Sequence, residues 1–232
     1  MTASPLATLP LFHIGPVGIS APVVITWAIM AVLTLASVAL TSRLAPTPTR
    51  TQAALELLVG TIDAEIGATM QAGPAPYRAL IGTLFLLILA CNWSSLIPGV
   101  DPPTAHIETD AALAGIVFCA TIVFGIRARG LRGYLMSFAE PSWLMIPLNL
   151  VEQITRTFSL FVRLFGNVMS GAFVIGIVLS LAALIVPIPL MAFDLLTGAV
   201  QAYIFTVLAM VFIGATLAES GHAVSKKEAE RS

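Results

Sequence analysis

Between Asn149 and Gly171 the chain carries one carboxylate and two arginines in a run otherwise rich in Leu, Phe, Val and Ile. Asn149, Glu152, Arg156, Ser159, Arg163, Asn167 and Ser170 recur in steps of three and four. At 3.6 residues per turn those steps fall along one side of a helix, so the spacing predicts a continuous polar stripe on an apolar cylinder. The chemistry such a stripe offers is that of charge: a guanidinium, a carboxylate, amides and hydroxyls. An arginine at the centre of a bilayer costs about 2.5–3.5 kcal/mol on insertion scales. A charge held there points to an ion path or a counter-ion rather than to packing. A second, shorter stripe, Asp194, Thr197 and Gln201, repeats the same steps further on.

The elements that must position these residues follow from composition. The 232 residues are 58% hydrophobic and 10% charged, whereas soluble domains average about 25% charged, so the chain reads as a polytopic membrane protein. A net charge of −1 leaves no basic footprint for nucleic acid. Cys91 and Cys119 lie in apolar runs and read as small buried hydrophobes rather than a disulfide or metal pair. His13, His106 and His222 all fall outside the apolar runs, and no His-Glu-x-x-His, membrane-depth Ser–His pair or phosphate-binding loop occurs. An intramembrane enzyme is therefore the weakest reading. No basic residue precedes Arg43, so the N-terminal stretch is expected to be neither a cleavable signal nor a transit peptide.

Residues 1–20 are punctuated by Pro and Gly and are expected at a membrane surface. A first span over 22–42 is closed by Arg43, and Pro46 and Pro48 break the helix after it. Over 51–71 the pattern becomes amphipathic. Leu55, Leu58, Ile62, Ile66 and Met70 share one face, with Gln52, Glu56 and Asp63 opposite. That helix either lies in the interface or packs against a partner. Gly73-Pro74-Ala75-Pro76 makes a turn, and further spans are expected over 79–97, 111–127, 142–186 and 189–219, with a charged tail over 220–232. The whole chain is one all-α membrane domain of five transmembrane helices plus the amphipathic helix. About forty residues at 1.5 Å each make roughly 60 Å, twice the hydrocarbon thickness. The last two helices must therefore be broken, emerge from the bilayer, or lie strongly tilted.

Basic residues set the orientation. Arg43, Arg50, Arg78, Arg127, Arg129, Arg132, Lys226, Lys227 and Arg231 fall on one side of a five-span arrangement, and the opposite loops hold no Lys or Arg. The positive-inside rule puts the N-terminus outside and the C-terminus in the cytoplasm.

Arg163-Leu-Phe-Gly-Asn167 followed by Gly171, with Pro147-Leu-Asn149-Leu-Val-Glu152 before it and Gln201-Ala-Tyr-Ile-Phe205 after it, resembles subunit a of the F-type ATP synthase membrane sector. The resemblance extends to Asn92 through Pro98 and covers about Leu80 to Glu219; residues 1–75 fit in length and layout. It implies a non-catalytic stator subunit without a cofactor, in a bacterial plasma (inner) membrane. Its last two helices would lie steeply tilted against a rotating ring of c subunits that carry membrane-buried carboxylates. Further partners implied are b-type peripheral stalk subunits and, indirectly, the catalytic head. Arg163 matches the essential arginine of similar proteins, and Asn167 and Gln201 match its polar companions. Two half-channels from opposite sides would deliver protons or sodium ions to the ring.

Many relatives carry an ionisable residue nine positions after the arginine or seven before the glutamine; here these are Ala172 and Asp194. Asp194 is thus expected to serve the outer half-channel and Glu152 the inner one, with Asn92, Ser159, Ser170, Thr197 and Arg156 as candidate path-lining residues. Gly166 and Gly171 suit a rotor contact or close helix packing. Plainer readings stand beside these. Arg156 is also placed as the i+4 partner of Glu152, Asp194 as a solvated residue near a helix start, and Asn92 as an ordinary helix end. The alternative function is a secondary transporter with an intramembrane Arg/Glu/Asp site, which internal symmetry and broken helices would favour.

Overall fold

The computed structural model describes residues 10–14, 17–42, 50–97, 100–138, 143–181 and 187–229. The expected surface stretch 1–9, the break at Pro46 and Pro48, and residues 182–186 and 230–232 lie outside them. A short antiparallel hairpin comes first, β1 (Pro10–Ile14) against β2 (Val17–Ser20), with His13 opposite Gly18. The all-helical reading had no place for it. Two short runs rich in apolar and β-branched residues, separated by Gly15 and Pro16, are nevertheless a hairpin pattern.

Six helices follow: α1 (Ala21–Thr41), α2 (Arg50–Met70), α3 (Arg78–Trp93), α4 (Ile107–Ser137), α5 (Ile146–Leu181) and α6 (Pro187–Ala229). Five of them, all but α2, are long and apolar enough to cross a membrane. In α1, Pro22 sits in the first turn, where its missing N–H costs nothing. Thr26, Thr34 and Thr41 donate their hydroxyls to the carbonyls of Pro22, Met30 and Ser37 at 2.7–2.8 Å. Each hydroxyl is thereby satisfied on its own helix, which an apolar surround requires. Trp27, Val32, Leu35 and Val38 remain exposed, as suits lipid.

α6 is the axis of the bundle and packs against α2, α3, α4 and α5. Phe205, Ala209, Met210 and Ile213 of α6 meet Ile81, Leu84 and Ile88 of α3, Leu113 and Val117 of α4, Leu160 and Leu164 of α5, and Ile66 and Met70 of α2 in one core. Small residues let the backbones approach: a Cβ added at Gly214 would stand 3.6 Å from the Met70 Cα. On α2 the apolar stripe turns toward the bundle, ending in buried Ile66 and Met70, while Leu57 is 73% exposed. Arg78 clamps α2 to the start of α3 through both oxygens of Asp63, with Nε to Oδ1 at 2.6 Å.

Two features depart from simple spans. α4 reaches past its expected end and is interrupted at Gly130, whose φ of 71° is a left-handed conformation suited to glycine. The chain then folds back, so Tyr134 lies against Gly125, where a Cβ would come within 2.7 Å of the ring. By contrast, α5 runs unbroken over its 36 residues, about 54 Å at 1.5 Å per residue. Breakage is thus removed from the choices over residues 146–181 of the fourth span. α6, at 43 residues, continues as helix into the expected tail.

Candidate functional site

The polar stripe of α5 lies on the open side of the helix. Glu152, Ser159, Arg163, Gly166 and Ser170 are exposed, whereas Leu160, Leu164 and Val168 on the other side are buried against the bundle. The Asn167 side chain lies outside the described residues. Arg163 has no hydrogen bond and no carboxylate partner among the described residues. The stripe is therefore a cationic strip presented outward between exposed Phe158, Val162, Phe173 and Val174.

About 10–16 Å before Arg163 along the helix axis, Arg156 and Glu152 form an i,i+4 ion pair. Arg156 also stacks over the Phe212 ring of α6 at 5.6 Å from its centroid. Both residues line a cavity of about 60 Å³ with Tyr134, Asn149, Gln153 and Thr216. Asn149 is tied in place by donating Nδ2–H to the Phe138 carbonyl at 3.0 Å. The Gly130 turn thus builds one wall of this cavity by bringing Tyr134 and Phe138 to the start of α5.

About 12 Å beyond Arg163 in the other direction, α5 meets the half-buried Asp194 of α6 at Gly171. A Cβ added at Gly171 would collide with the Asp194 carboxylate and stand 3.2 Å from its Cγ. The bare glycine makes the space that the carboxylate occupies. Thr197, one turn on, donates its hydroxyl to its own helix, to the carbonyls of Asp194 at 2.9 Å and Phe193 at 3.2 Å. Gln201 is buried, with Nε2 lacking a hydrogen-bond partner among the described residues. The two stripes therefore differ: that of α5 faces outward, while that of α6 turns into the bundle as it passes from Asp194 to Gln201. No hydrogen bond or ion pair joins Arg163 to Glu152, Asp194 or Gln201 among the described residues.

Asn92 is a buried tie. Its Nδ2–H donates to the Gly198 carbonyl at 2.8 Å, and its Oδ1 accepts from the Thr104 hydroxyl at 2.6 Å. Gly198 permits this approach, since a Cβ there would lie 3.0 Å from the Asn92 Cβ. Trp93 adds a parallel link, Nε1–H to the Leu195 carbonyl at 3.2 Å.

Sequence reasoning passed over Asp110. It stands one residue ahead of the third span expected over 111–127, yet it lies inside α4 and is fully buried. The signal was spacing: Asp110 is three, four and seven residues before Leu113, Ala114 and Val117, the buried face of the same helix.

Comparison with known proteins gives a consistent result. The family model described as ATP synthase A chain matches residues 23–214. ATP synthase subunit a 2 of Bradyrhizobium sp. is 56% identical over 217 residues, 94% of this chain and 97% of that protein. ATP synthase subunit a of Albidiferax ferrireducens is 44% identical over 203 residues, covering 87% of this chain and 88% of that protein. ATP synthase subunit a 1 of Chlorobaculum parvum is also 44% identical, over 207 residues, covering 88% and 92%.

Proposed function

The chain belongs to the ATP synthase A chain family, and from that premise we propose that it is the ion-translocating stator against which a ring of c subunits turns. As a member of that family it is a non-catalytic integral membrane subunit that works in a complex with other ATP synthase subunits. The observation that carries the finer reading is Arg163, exposed midway along a membrane helix with no carboxylate beside it among the described residues. A guanidinium does not shed its proton to escape lipid, so it needs an anion from outside the chain. A ring carboxylate passing this face supplies one.

Arg163 stabilises the ionised form of that carboxylate by Coulomb attraction and so forces it to release its ion. A reloaded, neutral carboxyl moves on into lipid, and the fixed positive charge between the two approaches prevents a direct leak. The inner approach runs through the cavity at Glu152 and Arg156, and the outer one through the notch where Asp194 fills the space at Gly171. Gly166, with nothing within 4 Å of an added Cβ, leaves room for the ring. The ion is a proton or a sodium ion. At 100 mV each charge delivers about 2.3 kcal/mol to bias rotation.

In this reading α5 and α6 lie tilted, because about 54 Å of unbroken α5 exceeds an upright path through about 30 Å of hydrocarbon. The N-terminus is outside and the C-terminus cytoplasmic, in a bacterial plasma membrane, with b-type stalk subunits as stator partners. The test is Arg163→Ala in the intact complex within membrane vesicles. ATP-driven ion uptake is expected to fall at least about a hundredfold, a barrier change of about 2.7 kcal/mol, with this subunit still assembled. Undiminished pumping would overturn the proposal.

A further inference from the structure

We propose that Asp110 is a proton-binding station at the outer end of the bundle, passing its proton toward Asp194. The inference rests on the outer approach assigned to Asp194 above. Asp110 lies in the first turn of α4 at 0% exposure, and neither carboxylate oxygen has a hydrogen-bond partner among the described residues. No basic side chain pairs with it among the described residues. An uncompensated carboxylate in the interior costs several kcal/mol, so the group takes up a cation whenever one reaches it.

Few titratable groups surround it. No cluster of three His, Cys, Asp or Glu side chains suited to a metal ion gathers among the described residues. The Cys91 thiol of α3 lies within electrostatic reach of Asp110, and α6, which packs against α4, carries Asp194. The outer part of α5, from Ser170 to Leu181, contains no titratable residue, nor does α1 or the turn Pro103–Ala105. On its own element His106 and Glu108 flank it, and Glu108 accepts a hydrogen bond from the Ser20 hydroxyl at 3.0 Å. Asp110 is thus a lone acid that gains and loses one O–H bond, with no redox step.

A buried polar link leads from this place to the outer approach. The turn Pro103–Ala105 packs against α4, and its Thr104 hydroxyl, itself 0% exposed, bonds to Asn92. Asn92 in turn bonds to Gly198, one turn from Asp194. The Asp110 end of α4 is thereby joined through side-chain hydrogen bonds to the helix that carries Asp194.

The experiment compares Asp110→Asn, Asp110→Glu and Asp194→Asn in the intact ATP synthase in vesicles, reading assembly, ATP-driven uptake and its pH profile. Asp110→Asn has nearly the shape of the neutral acid but holds no exchangeable carboxyl proton. It is expected to assemble, to pump about tenfold more slowly, and to lose one limb of the pH profile, with Asp110→Glu restoring most of the rate. Wild-type uptake and profile in Asp110→Asn, with Asp194→Asn impaired, would overturn the Asp110 station and leave the outer approach standing. Impairment of Asp110→Asn with Asp194→Asn normal would overturn the outer approach and the order of transfer with it. Should Asp110→Asn not assemble, Asp110→Glu decides: an unmoved pH profile overturns the proposal. A sodium requirement that Asp110→Glu shifts, in place of the pH profile, would do so too.

Discussion

Arg163 and Gln201 are both left with unused hydrogen-bond donors, but in opposite settings. Arg163 is exposed and its donors have no partner among the described residues, whereas the Gln201 amide is 5% exposed with Nε2 unsatisfied inside the bundle. A buried, unpaired donor costs about 1–3 kcal/mol, so packing alone gives no reason for a glutamine there. Gln201→Leu is accordingly expected to leave assembly and thermal stability of the complex unchanged or slightly improved, because the apolar isostere removes that penalty. Ion uptake should nonetheless fall about tenfold. Heating curves of the purified complex read beside uptake rates check this. A loss of stability with normal uptake would make Gln201 a packing residue.

At the scale of the helices, the decisive contact is the crossing of α5 and α6 at Gly171. The carboxylate of Asp194 occupies the volume that a side chain at position 171 would need. A carboxylate is the movable end of its side chain, so Gly171→Ala should cost little folding energy and should instead displace Asp194. Uptake is expected to drop about tenfold with assembly intact. The double variant Gly171→Ala with Asp194→Asn should be no slower than Asp194→Asn alone, since residues acting through one contact are not additive. Additive losses would show that Gly171 acts elsewhere, for example on the outer surface of α5. The Gly130 turn works in the same way at the other end of α5, since the fold-back it permits carries Tyr134 and Phe138 to the cavity at Glu152.

For the whole molecule, α6 is enclosed by four helices while α1 and the polar side of α5 remain open. Lipid suits the apolar surface of α1, but a strip holding Glu152, Arg163 and Ser170 requires another protein or water. Orientation is tested by single cysteines at Asp101 and Ser225, probed with a membrane-impermeant thiol reagent on sealed vesicles. They should label from opposite sides. Asp101 is exposed, whereas Thr104 in the same loop is fully buried and unsuited to labelling. The exposed Cys119 is first replaced by Ser, and Cys91 is buried. Labelling from one side alone would remove the five-span arrangement with the N-terminus outside.

The spans, the stripe on α5 and its central arginine were all legible in the sequence. Hydropathy and helical period are local properties, and a membrane helix satisfies its backbone within itself. The hairpin before α1 was less legible, because strands depend on pairing between segments. What the sequence could not supply was which polar group meets which. Asn92 bonds a carbonyl 106 residues away, Asp194 settles into the gap at Gly171, and Asp110 passes from an expected loop into the interior. A stripe establishes that residues share a face; whether that face turns outward, as on α5, or inward, as at Gln201, is decided by the neighbouring helices. Their approach is set by close packing of small residues such as Gly198 and Gly214 against distant parts of the chain, and no local pattern encodes it.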